Sequence, residues 1–565
     1  MPLSVVANPQ MIAPGQSATL TWTSQNTTSV TIDHGVGTFG PSGNVNVSPA
    51  QDTVYTITAT GPAGSTTQFV TVAVVSNAVT LNASASPQLI TQGQPSTLSW
   101  TTAGATSVSI DNGIGSVATS GSTSVAPAVN TTYTITATCD GGSTSTQVTV
   151  QVQSQEAGIG AVNHIIFMMQ ENRSFDTYFG KLNDYRASLG LPQNVDGIPS
   201  NAVNYENDGT PVPVYKLQTE CIEELTAGWN ESHWDFNLHN PTSLTPLMDG
   251  YVSTAQGYAQ FQGEMDTAGK RAMGYYDSSD LNYYYFMATQ FATSDRFFAP
   301  APTQSVPNRL YAFAATSAGY AKVATSTLNT KTIFQSLDDA GITWKIYYSD
   351  TLSDGQPATS LSTFFNYYQQ HQSQVVPVNP NYFNDVAAGT LPQFVFIEHG
   401  SQTGRDEHPG GANIQVGAQY VSTIINALMN SPSWHDSAFF LTYDEPGGTY
   451  DHVPALTNVP SPDGIPPQDL NSNDIPGDFT RTGMRVPVIV VSPFTVKNLV
   501  SHTPMDYTAV LKFVETRFKL PALTARDASM PDMTEFFDFV NPPWMTPPNP
   551  PAQNMNGACY LDHLP

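Results

Sequence analysis

A duplication places the strongest constraint on the fold. Ser17–Asp33 reads SATLTWTSQNTTSVTID and Pro95–Asp111 reads PSTLSWTTAGATSVSID. Trp22 matches Trp100, Tyr55 matches Tyr133 and Pro9 matches Pro87, each 78 residues apart without a gap. One offset at three anchors identifies a tandem repeat. Within each copy, runs such as TLTWT, SVTID and TYTITAT alternate with a period of two and are rich in Thr, Val, Ile and Tyr. That is the pattern of half-buried strands. Gly, Pro, Asn and Ser punctuate them at short intervals. The spacing predicts one small β-sandwich over residues 1–76 and another over 77–154, with Trp22 and Trp100 packed between the sheets.

These modules resemble bacterial immunoglobulin-like domains, without the Cys–Cys pair of antibody domains, so only the sandwich carries over. They contain no chemistry of their own. They read as a spacer or stalk, with glycan or surface contact as the alternative. Ser154–Gly160 reads as a short linker, and the pattern then changes. Continuous apolar runs HIIFMM (164–169), WKIYY (344–348), FVFI (394–397), FFLTY (439–443) and VPVIVV (486–491) alternate with amphipathic stretches over Thr330–Ala340, Ile414–Met429 and Tyr507–Phe518. Buried strands alternating with helices predict an α/β domain over 160–565, its parallel sheet covered on both faces. Pro- and Asn-rich segments 355–392, 454–480 and 541–557 read as long loops.

Composition narrows the function. The 565 residues carry 45 Asp+Glu against 19 Lys+Arg, a formal net charge of −26. A sequence-independent nucleic-acid binder needs a basic face, and a polybasic membrane-surface protein needs the same, so both are excluded. No apolar run is long enough for a transmembrane helix. The first residues, MPLSVVAN, lack the basic and apolar regions of a signal peptide. Charged residues are only 11% of the chain, well below the usual quarter. The surface must be mostly uncharged polar, in an extracellular style. A secreted or periplasmic protein is therefore expected, with its signal removed before the numbering starts; a cytosolic protein is the alternative. Cys139, Cys221 and Cys559 leave at most one disulfide. Cys221–Cys559 is one reading and three free thiols the other.

Ligands of α/β sheets bind beyond the carboxyl ends of the strands. Here three strand ends deliver Glu171-Asn172, Asp444-Glu445 and Glu398-His399 to one edge. Crowded carboxylates raise one another's pKa unless a cation is present. Glu171, Asn172, Asp444 and Glu445 are oxygen donors, which suit a hard divalent cation: Ca2+ first, with Mg2+ or Mn2+ as alternatives. No cysteine pair accompanies them, against a structural zinc site. Gly447-Gly448 would let backbone approach a ligand closely.

The strings NHIIFMMQENRSFDTYFG, DLNYYYFMATQFATSDRFF, PNRLYAFAAT, DEHP and LTYDEPGGTYDHV resemble the phosphoesterase family of bacterial phospholipases C and acid phosphatases, to which plant non-specific phospholipases C also belong. The resemblance runs from about residue 160 to about 520. It implies an alkaline-phosphatase-like core and metal-assisted cleavage of phosphate esters or phospholipids. It implies Glu171, Asn172, Ser305, Asp444 and Glu445 as metal ligands and Ser305 as nucleophile, with Thr303 as the rival hydroxyl. Pro446 stands where the family often has His. His233, His399 and His408 are expected as phosphate ligands or general acids and bases. Asn308, Arg309 and His452 are expected on the substrate side. Phospholipase C and acid phosphatase activity remain alternatives, beside a non-catalytic surface protein with a degenerate hydrolase domain. The aromatic run Tyr275-Tyr276 and Tyr283–Phe286 reads as helix packing, with an aromatic cage for a quaternary ammonium as the alternative.

Overall fold

The computed structural model describes residues 1–74, 79–91, 95–139, 142–153 and 158–564. Two compact units emerge, Met1–Gln155 and Glu156–Pro565. The expected 76/77 boundary and Ser154–Ala157 of the expected linker lie outside the described residues.

The first unit is all-β. Residues 3–47 contribute a three-stranded sheet (Leu3–Asn8, Ala18–Ser24, Ser42–Val47), which faces a five-stranded sheet reaching Val74. The second copy repeats the 3+5 arrangement. The duplication extends to single atoms. Trp22 Nε1 donates to Gly40 O and Trp100 Nε1 to Ala118 O, 18 residues on in both cases. Asp33 accepts from Thr56 N and Asp111 from Thr134 N, both at 2.8 Å. Trp22 and Trp100 are buried, as expected. Gly43 is required beside Trp22, because a Cβ there would lie 2.8 Å from the indole ring.

The second unit is mixed α/β around an eight-stranded sheet. Its centre is His164–Gln170, buried on both faces and flanked in parallel by Phe394–Ile397 and Ser437–Tyr443. Trp344–Tyr348 and Val375–Pro377 extend the parallel half. The all-parallel expectation fails at Val488–Val491, which runs antiparallel to both Ser437–Tyr443 and Ala292–Ser294. An apolar strand buried on both faces has the same composition in either direction, so its sequence does not reveal its polarity. Residues 355–392 are also not one loop. They hold the helices Phe365–Gln370 and Val378–Ala388 and a sheet strand. The tyrosines of Asn282–Gln290 are buried as helix packing, as expected.

Candidate active site

The central strand ends at Gln170, and the chain turns sharply through Asn172 at φ 58°. Asn tolerates this left-handed conformation better than most residues. The turn aims the Asn172 amide N–H at Asp444 Oδ1, 3.1 Å away. Room for it comes from Gly447, at φ 66°, where a Cβ would lie 2.5 Å from Asn172 O. The paired strand Ser437–Tyr443 supplies Asp444 and Glu445 at the same edge.

Ser305 opens the helix Ser305–Ala314. Pro307 sits in its first turn, where no helical N–H is lost. Ser305 Oγ donates toward Glu171 Oε2 and Asn172 Oδ1, each 3.1 Å away. Thr303, the rival hydroxyl, is buried and donates to the backbone carbonyl of Ala321.

One turn along this helix, Arg309 enters the carboxylate cluster. Its guanidinium lies 2.8 Å from Glu171, 3.2 Å from Asp444 and 3.2 Å from Glu398. Arg309 was expected to face substrate; instead it is the buried counter-ion of three acids. Asn308 is likewise spent on structure. It donates to the carbonyls of Ala301 and Thr303, pinning the loop before the helix.

Charge sets the protonation states. Burial would raise Glu171, but Arg309 and His399 outweigh it and hold Glu171 well below the ordinary carboxylate range. Burial pushes Asp444 up to about 7, with Glu171 adding to the effect. Burial and neighbouring Asp444 push Glu445 well above its ordinary value. One guanidinium therefore does not balance the negative charge collected here.

The histidines separate. His399 Nε2 lies 3.0 Å from Glu171. His408 Nε2 lies 2.8 Å from Asn172 Nδ2 and 3.8 Å from Glu171, while its Nδ1 lies 3.2 Å from Glu224. Burial would lower the His408 pKa; Glu224 outweighs it and holds the value up at about 10. His233 is buried in the helix Trp229–Phe236, bonded through Nδ1 to Trp229 O at 2.6 Å. Burial lowers it to about 4. Among the described residues no bond or ion pair joins it to Ser305 or the acids.

His452 belongs to a different cluster. Its Nδ1 lies 2.6 Å from Asp176 and its Nε2 3.1 Å from Asp196. Asp176, Asp451 and His452 each bring one ligand atom within 4.8 Å of the others, the spacing of a metal group. Arg485 already bridges both aspartates at 2.9 Å, so a guanidinium supplies the cation there.

The cluster around Ser305 also holds a guanidinium, Arg309, but its acids outnumber that charge and its donor atoms suit a divalent cation. Three oxygens converge at hydrogen-bond distance, two further buried acids adjoin them, and the donor set is entirely oxygen. Two acids outside the predicted set take part. Glu398, visible at a strand end, accepts from Thr359 Oγ1 and Ser360 N while pairing with Arg309. Glu224 lies in irregular chain with no periodic signal.

Comparison with known proteins assigns the chain to a family. A model described as "Phosphoesterase family" matches residues 162–521, well over half of the chain. The chain belongs to the phosphoesterase family. Its relatives include non-specific phospholipase C4 of Arabidopsis thaliana, 29% identical over 67% of this chain and 72% of that one. Phospholipase C B of Mycobacterium tuberculosis is 28% identical over 71% of this chain and 82% of that one. Non-specific phospholipase C1 of Arabidopsis thaliana is 30% identical, covering 68% and 72%. Among solved structures, a chimeric titin Z1Z2–Z1Z2 tandem matches at 14% identity, covering 27% of this chain and 100% of that one at a TM-score of 0.14. As a phosphoesterase, the chain is a phosphoric ester hydrolase. No described helix is long and apolar enough to cross a membrane.

Proposed function

We propose that the second unit, on an alkaline-phosphatase-like core, hydrolyses phosphodiesters of the phospholipid class with Ser305 Oγ as nucleophile. The convergence of Ser305 Oγ on Glu171 Oε2 and Asn172 Oδ1 carries this reading. The names of the phospholipase C relatives favour a diester over a monoester. Glu171, Asn172, Ser305, Asp444 and Glu445 would hold a divalent cation, Ca2+ first. When bound, such a cation lowers the pKa of a ligating hydroxyl and offsets charge on phosphoryl oxygens.

The side chains divide the remaining work. The Ser305 Oγ–P bond forms as the P–O bond to the alcohol breaks; the Oγ proton passes to Glu171 Oε2, the carboxylate that accepts from it, and the leaving oxygen takes a proton. His399 and His408, beside Glu171 and Asn172, are the imidazoles positioned to give that proton. Water then forms a bond to phosphorus as the Oγ–P bond breaks, returning a proton to Ser305 and releasing the phosphate monoester. Arg309 keeps Glu171 ionised. The disulfide Cys221–Cys559 and the sparsely charged surface support an oxidising compartment outside the cytosol. The sandwiches serve as a spacer.

Paired assays test the reading. After chelation and metal add-back, p-nitrophenyl phosphorylcholine should be turned over faster than p-nitrophenyl phosphate. Turnover of the monoester alone would make the protein a phosphatase. Silence on both with every divalent metal would refute phosphodiester hydrolysis.

A further inference from the structure

The segment 219–228 is irregular and largely buried, yet it has no sheet or helix to satisfy its backbone. Such a segment persists only when its neighbours hold it. On one side it is joined to the chain that follows His408. Ile222 O accepts from Gly410 N at 2.9 Å and Gly411 N at 3.2 Å, and Glu220 O accepts from Ile414 N at 3.0 Å. On the other side lies the C-terminal tail. Glu220 N donates to Ala558 O at 2.9 Å, and Cys221 is bonded to Cys559 across 338 residues.

Two adjacent acids on this segment do different jobs. Glu223 accepts from Met265 N at 2.7 Å and Asp266 N at 2.8 Å, so its carboxylate is spent on a turn. Glu224 turns to His408, with Oε2 3.2 Å from Nδ1, a nitrogen that also lies 2.5 Å from Pro409 O, and Oε1 accepts from its neighbour Leu225 N. Arg271 Nε holds the Glu224 carbonyl at 2.9 Å. The far nitrogen of His408 is the one that reaches Asn172, 2.8 Å away. The chain of contacts thus runs from the tail through Cys221 and Glu224 to His408 and the Ser305 site.

We propose that Glu224 is a positioning residue that fixes the His408 ring against Asn172, and that the Cys221–Cys559 bridge makes the C-terminal tail a working part of this support. A partner on the far ring nitrogen fixes the ring's orientation, and loss of such partners costs about 10–100-fold in function. The proposal rests on the reading that His408 serves the phosphoesterase site. Because only His408 transmits the effect, Glu224 matters only while His408 is present.

The test is a double-mutant cycle on the full chain with the preferred p-nitrophenyl substrate, at saturating metal. Glu224→Ala should lower kcat about 10–100-fold with KM within about twofold. In a His408→Ala background the same substitution should cost nothing further, a non-additivity that a merely structural loss would not produce. Cys221→Ser/Cys559→Ser should lower kcat in the same way, and adding Glu224→Ala should then cost less than in the wild type. Far-UV circular dichroism and Tm identify variants that fold. Glu224→Gln, which keeps the shape, should retain more activity than Glu224→Ala and stands in if the alanine variant is unstable. Equal losses in both backgrounds would overturn the proposal, as would full activity of Glu224→Ala beside an impaired His408→Ala. Full activity of His408→Ala would instead remove the role assigned to that histidine, and with it the premise.

Discussion

The two units bury opposite kinds of side chain. Among the described residues of 1–155, Ser96 is the one buried polar residue; the rest of both cores is apolar, built around Trp22 and Trp100. The second unit buries Glu171, Asp176, Arg309, Glu398, Glu407, Asp444, Glu445, Asp451 and Arg485, among others. Burying charge is expensive and gives little stability even when paired. A spacer has no reason to bear that cost. In a phosphoester hydrolase the acids beside Ser305 have a reason to be buried, because fixed charges in a dry site act strongly on a phosphoryl group, whereas Asp176, Asp451 and Arg485 are paired with one another away from it. Where the charge is buried therefore marks the second unit as the one that carries the chemistry.

The comparison can be broken at four points. Ser305→Ala should lower kcat by at least about 1,000-fold while the protein keeps its metal, measured by turnover and by metal analysis of the same sample. Retained turnover would pass the nucleophile's role to another group. Arg309→Met should cost about 3–5 kcal/mol in urea unfolding, since it strands Glu171, Asp444 and Glu398 without a counter-ion. It should also abolish turnover, and an unchanged midpoint would mean that the acids find another cation.

Trp22→Ala should destabilise the first sandwich by about 3–5 kcal/mol through loss of the buried indole. Turnover should stay within about twofold, since the substitution is remote from the chemistry. A large activity loss would erase the division between the units. The smallest effect is a pH limb. His233 has a folded pKa of about 4 against an ordinary 6.5, so the unfolded chain binds its proton first as pH falls. Its contribution is full above pH 6.5 and is lost progressively down to about pH 4, up to about 3 kcal/mol. His233→Gln should flatten that part of the stability–pH curve. An unchanged slope would place the acid sensitivity on other groups.

Much of the site was legible because its residues sit at predictable places. Glu171, Asn172, Asp444 and Glu445 follow strands that announce themselves as apolar runs, and Ser305 follows from the family motif. Each of those signals is local. Arg309 was read toward substrate because its motif shows the residue but not the three acids around it, which come from separate strands. His452 was read toward substrate for the same reason, and its partners are Asp176 and Asp196. Glu224 had no signal at all, since its partner His408 lies 184 residues further along the chain.

The sequence by itself determined the duplicated sandwiches, the α/β character of the second unit and the strand-end acids, because periodicity and turn chemistry act over a few residues. Only the tertiary structure decided the antiparallel run of Val488–Val491, the choice between a Cys221–Cys559 bridge and free thiols, and which cation or imidazole each buried acid faces. Strand direction and charge pairing depend on distances between segments far apart in the chain. Electrostatic energy in a buried site is set by those distances and by the exclusion of water, and neither is written in local composition.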